Sequence, residues 1–258
     1  MRIDLALVAQ GLARSRTHAQ SLISSGQVQL NGQVVAKPSQ PVQPNDKLGV
    51  QPDHYVSRAA YKLLGAVQDL GLQLGGRALD AGASTGGFTQ VLLESGCQPV
   101  YAVDVGHAQL DPLLRADSRV VVHERTNLRD LELSHLGGVP VNVVVADVSF
   151  ISLVLLLQPL TSVLAADGDL VLMIKPQFEV GRERLGKNGV VRSPALHRDS
   201  IAAVLAAAEP LGWYPEQLAP SRLPGPSGNV EYFALLRSRR SDQPINLEQV
   251  VEAGSRLG

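Results

Sequence analysis

Four charged residues, two lysines and two acids, stand where the sequence predicts that strands or helices begin or end. Asp147 closes the apolar run VNVVVAD, and Lys175 closes DLVLMIK ahead of a proline that stops the strand. Lys62 opens the helical segment SRAAYKLLGA, and Glu231 starts EYFALLR. Amines and carboxylates held together can move protons, but burying them is costly unless they pair. Each residue alone is typical of a solvated surface, so only a shared location would indicate chemistry.

A glycine-rich segment, ALDAGASTGGFTQ, follows a predicted strand and opens a predicted helix. Its glycines, among them Gly82 and Gly86, permit a tight turn and a close approach of the backbone to a ligand. The dinucleotide fingerprint GxGxxG, read from Gly82, requires glycine at position 84, where Ser84 stands. The segment therefore disfavours a pyrophosphate and favours S-adenosylmethionine, which carries an amino acid, a sulfonium and an adenosine but no phosphate.

Two acidic residues near this segment suit the same cofactor. Asp80 opens the loop and can contact an ammonium group directly or through water. Asp104 closes the next predicted strand, 24 residues further on, where its carboxylate can accept both ribose hydroxyls. We therefore predict S-adenosylmethionine as the cofactor.

The segment GRERLGKN, from Gly181 to Asn188, nearly matches the phosphate-binding loop GxxxxGK[ST]. Asn188 stands where that loop needs a hydroxyl to bind magnesium, and no predicted strand leads directly into the segment. The sequence therefore disfavours a nucleoside triphosphate site and favours a mobile basic loop near the substrate.

Helical patterns and short apolar runs alternate from residue 61 onward, and these elements must position the charged groups. The alternation predicts a doubly wound α/β domain over 61–258 with a mostly parallel, Rossmann-like sheet. Ligands bind such sheets beyond the carboxyl ends of the strands. If the last strand runs antiparallel, Glu231 lies at the same edge as Asp147 and Lys175. The predicted strands are RALDAG, VYAVDVG, VVVH, VNVVVAD, DLVLMIK and EYFALLR, and the predicted helices include GFTQVLLES and SIAAVLAAAEPLG.

The first fifty residues predict a small α+β domain over 1–50, followed by a linker over 51–60. IDLALVAQGL indicates one helix, and SRTHAQSLIS indicates a second that its first serine can cap. Asn31-Gly32 within VQLNGQVV is typical of a β-hairpin turn. Residues 1–62 carry seven Lys or Arg against three Asp, a net charge of +4, whereas the whole chain carries −1. This positive charge favours a polyanionic partner.

The segment GLARSRTHAQSLISSGQVQLNGQVV resembles the S4 RNA-binding module. In that module the basic start of the second helix faces structured RNA, and backbone N–H groups at a helix start also favour phosphate. The resemblance therefore implies phosphate contacts from Arg14, Arg16 and His18, with Lys37 as a weaker candidate.

Segments along nearly the whole chain resemble the TlyA, or hemolysin A-type, rRNA 2′-O-methyltransferases, which are relatives of the FtsJ group. The matching segments are YVSRAAYKL, LDAGASTGGFTQ, YAVDVGHAQL, ADVSFISL, IKPQFEVGRERLGKNGVV and GPSGNVEYFALL. The resemblance implies a catalytic tetrad of Lys62, Asp147, Lys175 and Glu231, with cytidine in ribosomal RNA as the target. One departure is Ala59-Ala60, where relatives often have glycines. The cofactor contacts that it implies are Asp80, Gly82, Ser84, Gly86, Asp104, Asn127 (a weaker candidate, for adenine) and Asp147.

These residue types fit methyl transfer to a ribose 2′-hydroxyl. The hydroxyl is a poor nucleophile and must lose its proton as the methyl group transfers. A lysine can take that proton if burial and a neighbouring cation depress its pKa. We assign Lys175 to orient or deprotonate the hydroxyl and Lys62 to orient it, while Asp147 and Glu231 hold the lysines. A target nucleotide in structured RNA would leave its stack to reach them.

Composition excludes several other classes. The single cysteine among 258 residues excludes an intramolecular disulfide, and the histidines show no metal-ligand spacing, so we expect no metal. No stretch is long and apolar enough to span a bilayer, and the N-terminus lacks a signal-peptide layout. We therefore expect a cytoplasmic protein without a membrane partner.

Two alternative functions stay open, as does the oligomeric state. A non-catalytic RNA-binding or ribosome-assembly factor could retain a methyltransferase fold, although all four tetrad residues are present. A membrane-lytic hemolysin is the other, although no amphipathic or transmembrane segment supports it. The chain begins almost at its first helix, like the shorter family members that are associated with large-subunit RNA, which favours that RNA weakly.

Overall fold

The computed structural model describes residues 1–24, 27–35, 37–51, 54–186, 189–241 and 244–257. The chain divides into two compact units, Met1–Arg58 and Ala59–Gly258. The finer division expected from the sequence, with a linker over 51–60, stays a prediction.

The first unit contains two helices and a three-stranded antiparallel sheet that share one apolar core. The Asn31-Gly32 turn, with positive φ at both residues, joins two strands as the hairpin pattern predicts. The Ser15 hydroxyl accepts a hydrogen bond from the His18 N–H at 3.1 Å and so caps the second helix. The helices are α1 (Ile3–Ala9) and α2 (Arg16–Ser24), and the strands are β1 (Val28–Leu30), β2 (Gln33–Val34) and β3 (Leu48–Val50).

The second unit is built on a seven-stranded sheet. Its strands are β4 (Gly76–Ala81), β5 (Cys97–Val103), β6 (Val120–His123), β7 (Val141–Ala146), β8 (Leu164–Ile174), β9 (Tyr214–Pro220) and β10 (Tyr232–Arg237). They lie in the order β6-β5-β4-β7-β8-β10-β9. The first five strands of this order are parallel, whereas β10 is antiparallel to both of its neighbours. The mostly parallel α/β sheet expected from the sequence is confirmed, with β9 as an additional strand.

Helices connect the strands of the second unit, as the alternating pattern predicts. The helix expected from GFTQVLLES follows β4 directly after the glycine-rich loop, and the one expected from SIAAVLAAAEPLG precedes β9. The helices are α3 (Ala59–Asp69), α4 (Gly87–Glu94), α5 (Pro112–Ala116), α6 (Leu157–Ser162), α7 (Pro176–Glu179), α8 (Pro194–Ala208) and α9 (Leu247–Ser255).

The strand order of the sheet reverses between the neighbouring strands β4 and β7. β5 and β6 lie on one side of β4, whereas β7 and β8 lie on the other. The carboxyl ends of β4, β5 and β7 therefore border the crevice in which doubly wound sheets bind ligands. Asp80, Asp104 and Asp147 occupy these three strand ends.

The direction of β10 decides where Glu231 lies. Tyr232 in β10 pairs with Ile174 in β8, and the two strands are antiparallel. Glu231 directly precedes Tyr232, and Lys175 directly follows Ile174. Both charged residues lie at the carboxyl edge of the parallel strands, as the sequence predicts for an antiparallel last strand.

A helix rather than a strand precedes the segment that resembles a phosphate-binding loop. α7 ends at Glu179, just before Gly181, so no strand leads into the segment. This placement agrees with the expectation that the segment is not a phosphate loop. Lys187 and Asn188 lie outside the described residues.

We expect Leu172→Ala to lower the free energy of unfolding by about 2–5 kcal/mol, because it leaves a cavity in the sheet core. Leu172 is fully buried in β8, between Ala146 of β7 and Ala234 of β10. Urea unfolding followed by the fluorescence of buried Trp213, the single tryptophan, measures the change. Leu113→Ala, at an exposed position of α5, is the matched control and should change the value by less than about 0.5 kcal/mol. Equal effects would contradict the assigned core.

Candidate active site

Lys62 and Glu231 form a buried ion pair. Lys62 lies in the first turns of α3, and Glu231 directly precedes β10. Lys62 Nζ donates to Glu231 Oε2 at 2.6 Å, and the two residues are 5% and 1% exposed. Because removing either partner would leave a buried charge uncompensated, the pair holds α3 against the start of β10.

Lys175 and Asp147 form a second ion pair. Asp147 follows β7, and Lys175 follows the neighbouring parallel strand β8. Lys175 Nζ lies 2.6 Å from Asp147 Oδ1, and the same amine donates to the Ser149 hydroxyl at 3.0 Å. Pro176 provides the first residue of α7, so Lys175 is held at the junction of strand and helix.

Gln177 connects the segment that carries Lys175 to the Lys62–Glu231 ion pair. It lies two residues after Lys175, and its Nε2 donates to Glu231 Oε1 at 3.0 Å. Glu231 therefore receives one donor on each carboxylate oxygen, Lys62 on Oε2 and Gln177 on Oε1. Through these contacts and the strand order, the structure brings all four residues of the predicted tetrad to one edge of the sheet. Gln177 and Ser149 are additions that the sequence analysis missed.

The backbone around Glu231 also restrains the first ion pair. A Cβ atom at Gly225 would lie 2.7 Å from Glu231 Oε1, so only glycine leaves room for this carboxylate. Arg222, in the loop before β10, donates to both carboxylate oxygens of Asp69 at 2.9 and 2.6 Å. Asp69 ends α3, so this two-point contact ties the helix that carries Lys62 to the segment that leads to Glu231.

The glycine-rich loop passes close to the second ion pair. Gly82 has a φ of +91°, and a Cβ atom there would lie 2.7 Å from the main-chain oxygen of Asp147. Gly86 has a φ of +100°, and a Cβ atom there would overlap Leu114. Both positions therefore favour glycine for their backbone conformation, and Gly82 is also required for space, because the atom that it faces belongs to the main chain. Ser84 lies exposed at the tip of this loop.

Asp104 organises the loop from the neighbouring strand. Its Oδ2 accepts the Ser84 N–H at 2.8 Å, and its Oδ1 accepts the Gly106 N–H at 2.6 Å. A carboxylate oxygen can accept more than one hydrogen bond, so both oxygens keep acceptor capacity for a ligand hydroxyl. The ligand contact that the sequence predicts for Asp104 stays a prediction, and the structure adds this backbone role.

Asp80 is fully buried with one oxygen unpartnered. Its Oδ2 accepts from the Thr89 hydroxyl at 2.6 Å, whereas its Oδ1 has no hydrogen-bond partner in the described part of the chain. The pKa of Asp80 is raised to about 7, mainly by burial and also by the nearby carboxylates of Asp147 and Asp104, while the Thr89 hydrogen bond opposes the rise. A cationic ligand group would satisfy this oxygen.

Asn127 lies exposed in the segment that follows β6. Its side-chain oxygen accepts the Arg129 N–H at 3.1 Å and caps a short 3₁₀ turn. The preceding Thr126 N–H donates to the Asp104 main-chain oxygen at 3.0 Å, which keeps this segment at the same sheet edge. Its predicted contact with adenine stays a prediction.

The loop after β7 carries an exposed aromatic ring. Phe150 is 92% exposed at a φ of +66°, and its ring centroid lies 5.2 Å from that of Phe178. Glu179 holds the end of this loop by accepting the Ser152 hydroxyl at 2.5 Å and the Leu153 N–H at 2.8 Å. Burial raises the pKa of Glu179, which agrees with its enclosed position. No sequence motif indicates a role for Phe150 or Glu179.

The predicted RNA contacts of the first unit lie at or near the start of α2, except for Lys37. Arg14 and Lys37 are exposed. The Arg14 N–H donates to His18 Nδ1 at 3.2 Å, so the other ring nitrogen of His18 is the one that can donate to a ligand. Arg16 Nε donates to the buried Asp4 carboxylate at 3.0 Å, a contact that the sequence analysis did not foresee.

The described ranges contain neither a metal-binding cluster nor a membrane-spanning helix. No group of three or more histidine, cysteine or acidic residues is arranged to hold a metal ion. No helix in those ranges is both long and apolar enough to cross a membrane.

Comparisons with known proteins identify the family. The family model of the FtsJ-like methyltransferases matches residues 55–238, and that of the S4 domain matches residues 1–48. The 16S/23S rRNA (cytidine-2′-O)-methyltransferase TlyA of Mycobacterium tuberculosis is 47% identical over 98% of this chain and 95% of its own length. The chain belongs to the TlyA branch of the FtsJ-like methyltransferases.

Other TlyA relatives agree in sequence and in fold. The 23S rRNA (cytidine-2′-O)-methyltransferase TlyA of Campylobacter jejuni is 34% identical over 90% of this chain and 98% of its own length. A solved structure from Streptococcus thermophilus, described as a hemolysin, is 36% identical with a TM-score of 0.77, covering 100% of this chain and 96% of its own. Ala59 and Ala60, the departure noted in the sequence, form a regular start of α3, which begins at Ala59 and buries Ala60.

We expect Glu231→Ala to lower the free energy of unfolding by about 3–5 kcal/mol, because it leaves the Lys62 ammonium buried without an anion. The double variant Lys62→Met/Glu231→Leu removes both charges and should recover most of the loss. Urea unfolding followed by Trp213 fluorescence measures both variants. A single variant as stable as the wild type would contradict a buried ion pair at this place.

Proposed function

We propose that the protein transfers a methyl group from S-adenosylmethionine to a ribose 2′-hydroxyl of cytidine in ribosomal RNA. The observation that carries this proposal is the presence of two lysine–carboxylate contacts at one sheet edge, Lys62–Glu231 and Lys175–Asp147, the second of which adjoins the glycine-rich loop. Amines held at such a place can orient a hydroxyl and handle its proton. The names of the relatives supply the cytidine and ribosomal RNA parts of the proposal.

The residues around the loop fit S-adenosylmethionine. When bound, this cofactor supplies a methyl carbon activated by a sulfonium. The unpartnered, buried Asp80 Oδ1 suits its ammonium group, and the acceptor capacity of Asp104 suits its ribose hydroxyls. The space that Gly82 leaves beside Asp147 allows a ligand to approach the backbone. We propose Asp80, Gly82, Ser84, Gly86, Asp104, Asn127 and Asp147 as the cofactor contacts.

In this proposal, Lys175 Nζ orients the 2′-hydroxyl or, as the neutral amine, accepts its proton and becomes the ammonium that pairs with Asp147. Asp147 Oδ1 and the Ser149 hydroxyl occupy two positions around this amine and leave a third direction for the substrate oxygen. Lys62 orients the same hydroxyl, while Glu231 and Gln177 keep Lys62 in place. Holding the oxygen in line with the methyl carbon supplies much of the acceleration.

The exposed ring of Phe150 supports the expectation that the target nucleotide leaves its stack. A 92% exposed phenylalanine is unfavourable in water, and a ring face can stack on a nucleobase. The ring follows Asp147 and Ser149 in the same loop, so a base that stacks on it brings its ribose near Lys175. An extruded cytidine would thus exchange RNA stacking for protein stacking.

The first unit is proposed to bind the RNA, through Arg14, Arg16, His18 and more weakly Lys37. Its S4 family match supports this role. A ribosomal substrate also implies action in the cytoplasm. The Mycobacterium tuberculosis relative is named for both rRNAs, whereas the Campylobacter jejuni relative is named for the large-subunit RNA alone. Both rRNAs therefore belong in every test, with large-subunit RNA as the first candidate.

We expect Lys175→Ala to lower methyl transfer by about a thousandfold or more while RNA affinity stays unchanged, because it removes the group that handles the proton. Transfer of tritiated methyl groups to both rRNA transcripts measures the rate, and filter binding measures affinity. Ser149→Ala is the matched control: it keeps the ion pair with Asp147 and should cost about tenfold or less. Full activity of the Lys175→Ala variant would contradict the proposed role of Lys175. Dye release from liposomes by the wild-type protein, without methyl transfer, would favour the membrane-lytic alternative.

We expect affinity for S-adenosylmethionine to increase as the pH rises through about 7. Below this pH the Asp80 carboxyl is protonated, and its charged form, which the cofactor ammonium favours, becomes populated only above it. Calorimetric titration from about pH 5 to about pH 8 measures the trend. Asp80→Asn, which cannot titrate, should bind more weakly and without this rise. A rise of the same size in both proteins would show that another group titrates.

A further inference from the structure

A buried carboxylate joins two arginines in the first unit. Asp4, in the first turn of α1, has no exposed surface. Arg2 donates to it from Nε and Nη2, each at 3.0 Å, to the two different carboxylate oxygens. Arg16, at the start of α2, donates from Nε at 3.0 Å, and Gln20 donates from Nε2 at 3.1 Å. Four donors from three side chains thus converge on one carboxylate.

The number of cations around Asp4 exceeds what its burial requires. One arginine in two-point contact already compensates a buried carboxylate. The hydrogen bonds from Arg2, together with those from Arg16 and Gln20, hold the pKa of Asp4 well below its usual range, so it stays charged. The cluster of Arg2, Arg16 and Asp4 therefore keeps a net charge of +1. Without the anion, the two guanidinium groups would repel each other.

The arginines keep donors that point away from Asp4. The Arg16 side chain is 55% exposed and contacts Asp4 with Nε alone. Its two terminal amino groups, which form a fork suited to phosphate oxygens, have no partner within the described part of the chain. The Arg2 side chain is 44% exposed and keeps Nη1 for a ligand. Arg16 also opens α2, whose first backbone N–H groups favour phosphate.

We propose that Asp4 is a positioning residue that holds Arg2 and Arg16 side by side as a guanidinium clasp for the phosphate backbone of structured RNA. The clasp is defined by Asp4, Arg2 and Arg16, and it adds Arg2 to the predicted RNA contacts. This inference rests on the proposed RNA-binding role of the first unit. An acidic residue here strengthens the binding of a polyanion, because it fixes two cations that would otherwise separate and move.

The clasp predicts a change in RNA affinity opposite to the change that net charge alone predicts. Asp4→Asn removes a negative charge, which alone would tighten RNA binding. If Asp4 positions the arginines, the same variant should weaken binding by roughly three- to tenfold and reduce the salt slope by up to about one unit. In methyl transfer it should raise KM for RNA and leave kcat unchanged, which a general loss of structure would not do.

Asp46→Asn is the matched control. Asp46 lies in the same unit, but its carboxylate accepts from the neutral groups Asn31 Nδ2 and the Gln43 N–H, each at 2.7 Å. It should leave RNA affinity unchanged or raise it. Filter binding of the full-length chain to small- and large-subunit rRNA transcripts over a range of salt concentrations compares the variants. If Asp4→Asn binds as tightly as wild type or as Asp46→Asn, the clasp is refuted.

Two further variants separate the clasp from the wider proposal. Arg14→Gln/Arg16→Gln should weaken binding and reduce the salt slope by up to about two units. If this double variant binds like wild type, the proposed RNA face fails; if it weakens binding but Asp4→Asn does not, only the clasp fails. Circular dichroism checks folding. Should Asp4→Asn not fold, Arg16→Lys replaces it, because it keeps the charge but loses the fork: weaker binding at an unchanged salt slope supports the clasp, and wild-type affinity overturns it.

Discussion

A lysine ammonium can be buried among apolar side chains only where an anion accompanies it, since the desolvation of either ion alone costs several kcal/mol. The second unit places two such pairs at one sheet edge: Lys62 and Glu231 are both buried, whereas Lys175 is buried and its partner Asp147 is partly exposed. Their pairing requires β7 and β8 to end at the same edge and β10 to begin there. The reversed direction of the last strand is therefore the topological feature that completes the site.

The three acidic residues at the ends of the central strands have different contacts at this edge. Asp104 takes two backbone N–H groups and shapes the glycine-rich loop. Asp80 is buried, and its Oδ1 has no hydrogen-bond partner among the described residues, so a cationic ligand group can offset the cost of burying this oxygen. Asp147 faces Lys175 and provides the main-chain oxygen against which Gly82 packs, so the cofactor loop and the second ion pair share one residue.

Most of the fold could be predicted because parallel strands buried on both faces read as continuous apolar runs. β9 could not, because an edge strand paired only with β10 tolerates Pro215 and Pro220, which normally argue against a strand. β8 begins at Leu164, earlier than expected. Asp167 and Gly168 indicate a turn in the sequence but lie at an irregularity in the pairing with β7. Local sequence patterns do not show that the surrounding sheet accommodates prolines or turn residues within a strand.

Of the candidate site, the charged strand ends could be predicted, whereas their neutral supports could not. Gln177 and Ser149 can be recognised as part of the site only from their hydrogen bonds in the structure, which join them to Glu231 and Lys175. In the first unit, a contact between Arg16 and Asp4, 12 positions apart on different helices, has no signal in helical periodicity. Sequence patterns therefore locate reactive groups, but the partners that fix their geometry depend on packing between elements.

Nucleoside mass spectrometry of ribosomal RNA incubated with the protein and S-adenosylmethionine tests the central claim most directly. If the two lysine–carboxylate pairs serve a ribose hydroxyl, the methyl group will be found as 2′-O-methylcytidine. A methyl group on a nucleobase, or RNA left unmodified by folded protein that binds both the cofactor and the RNA, would contradict this account.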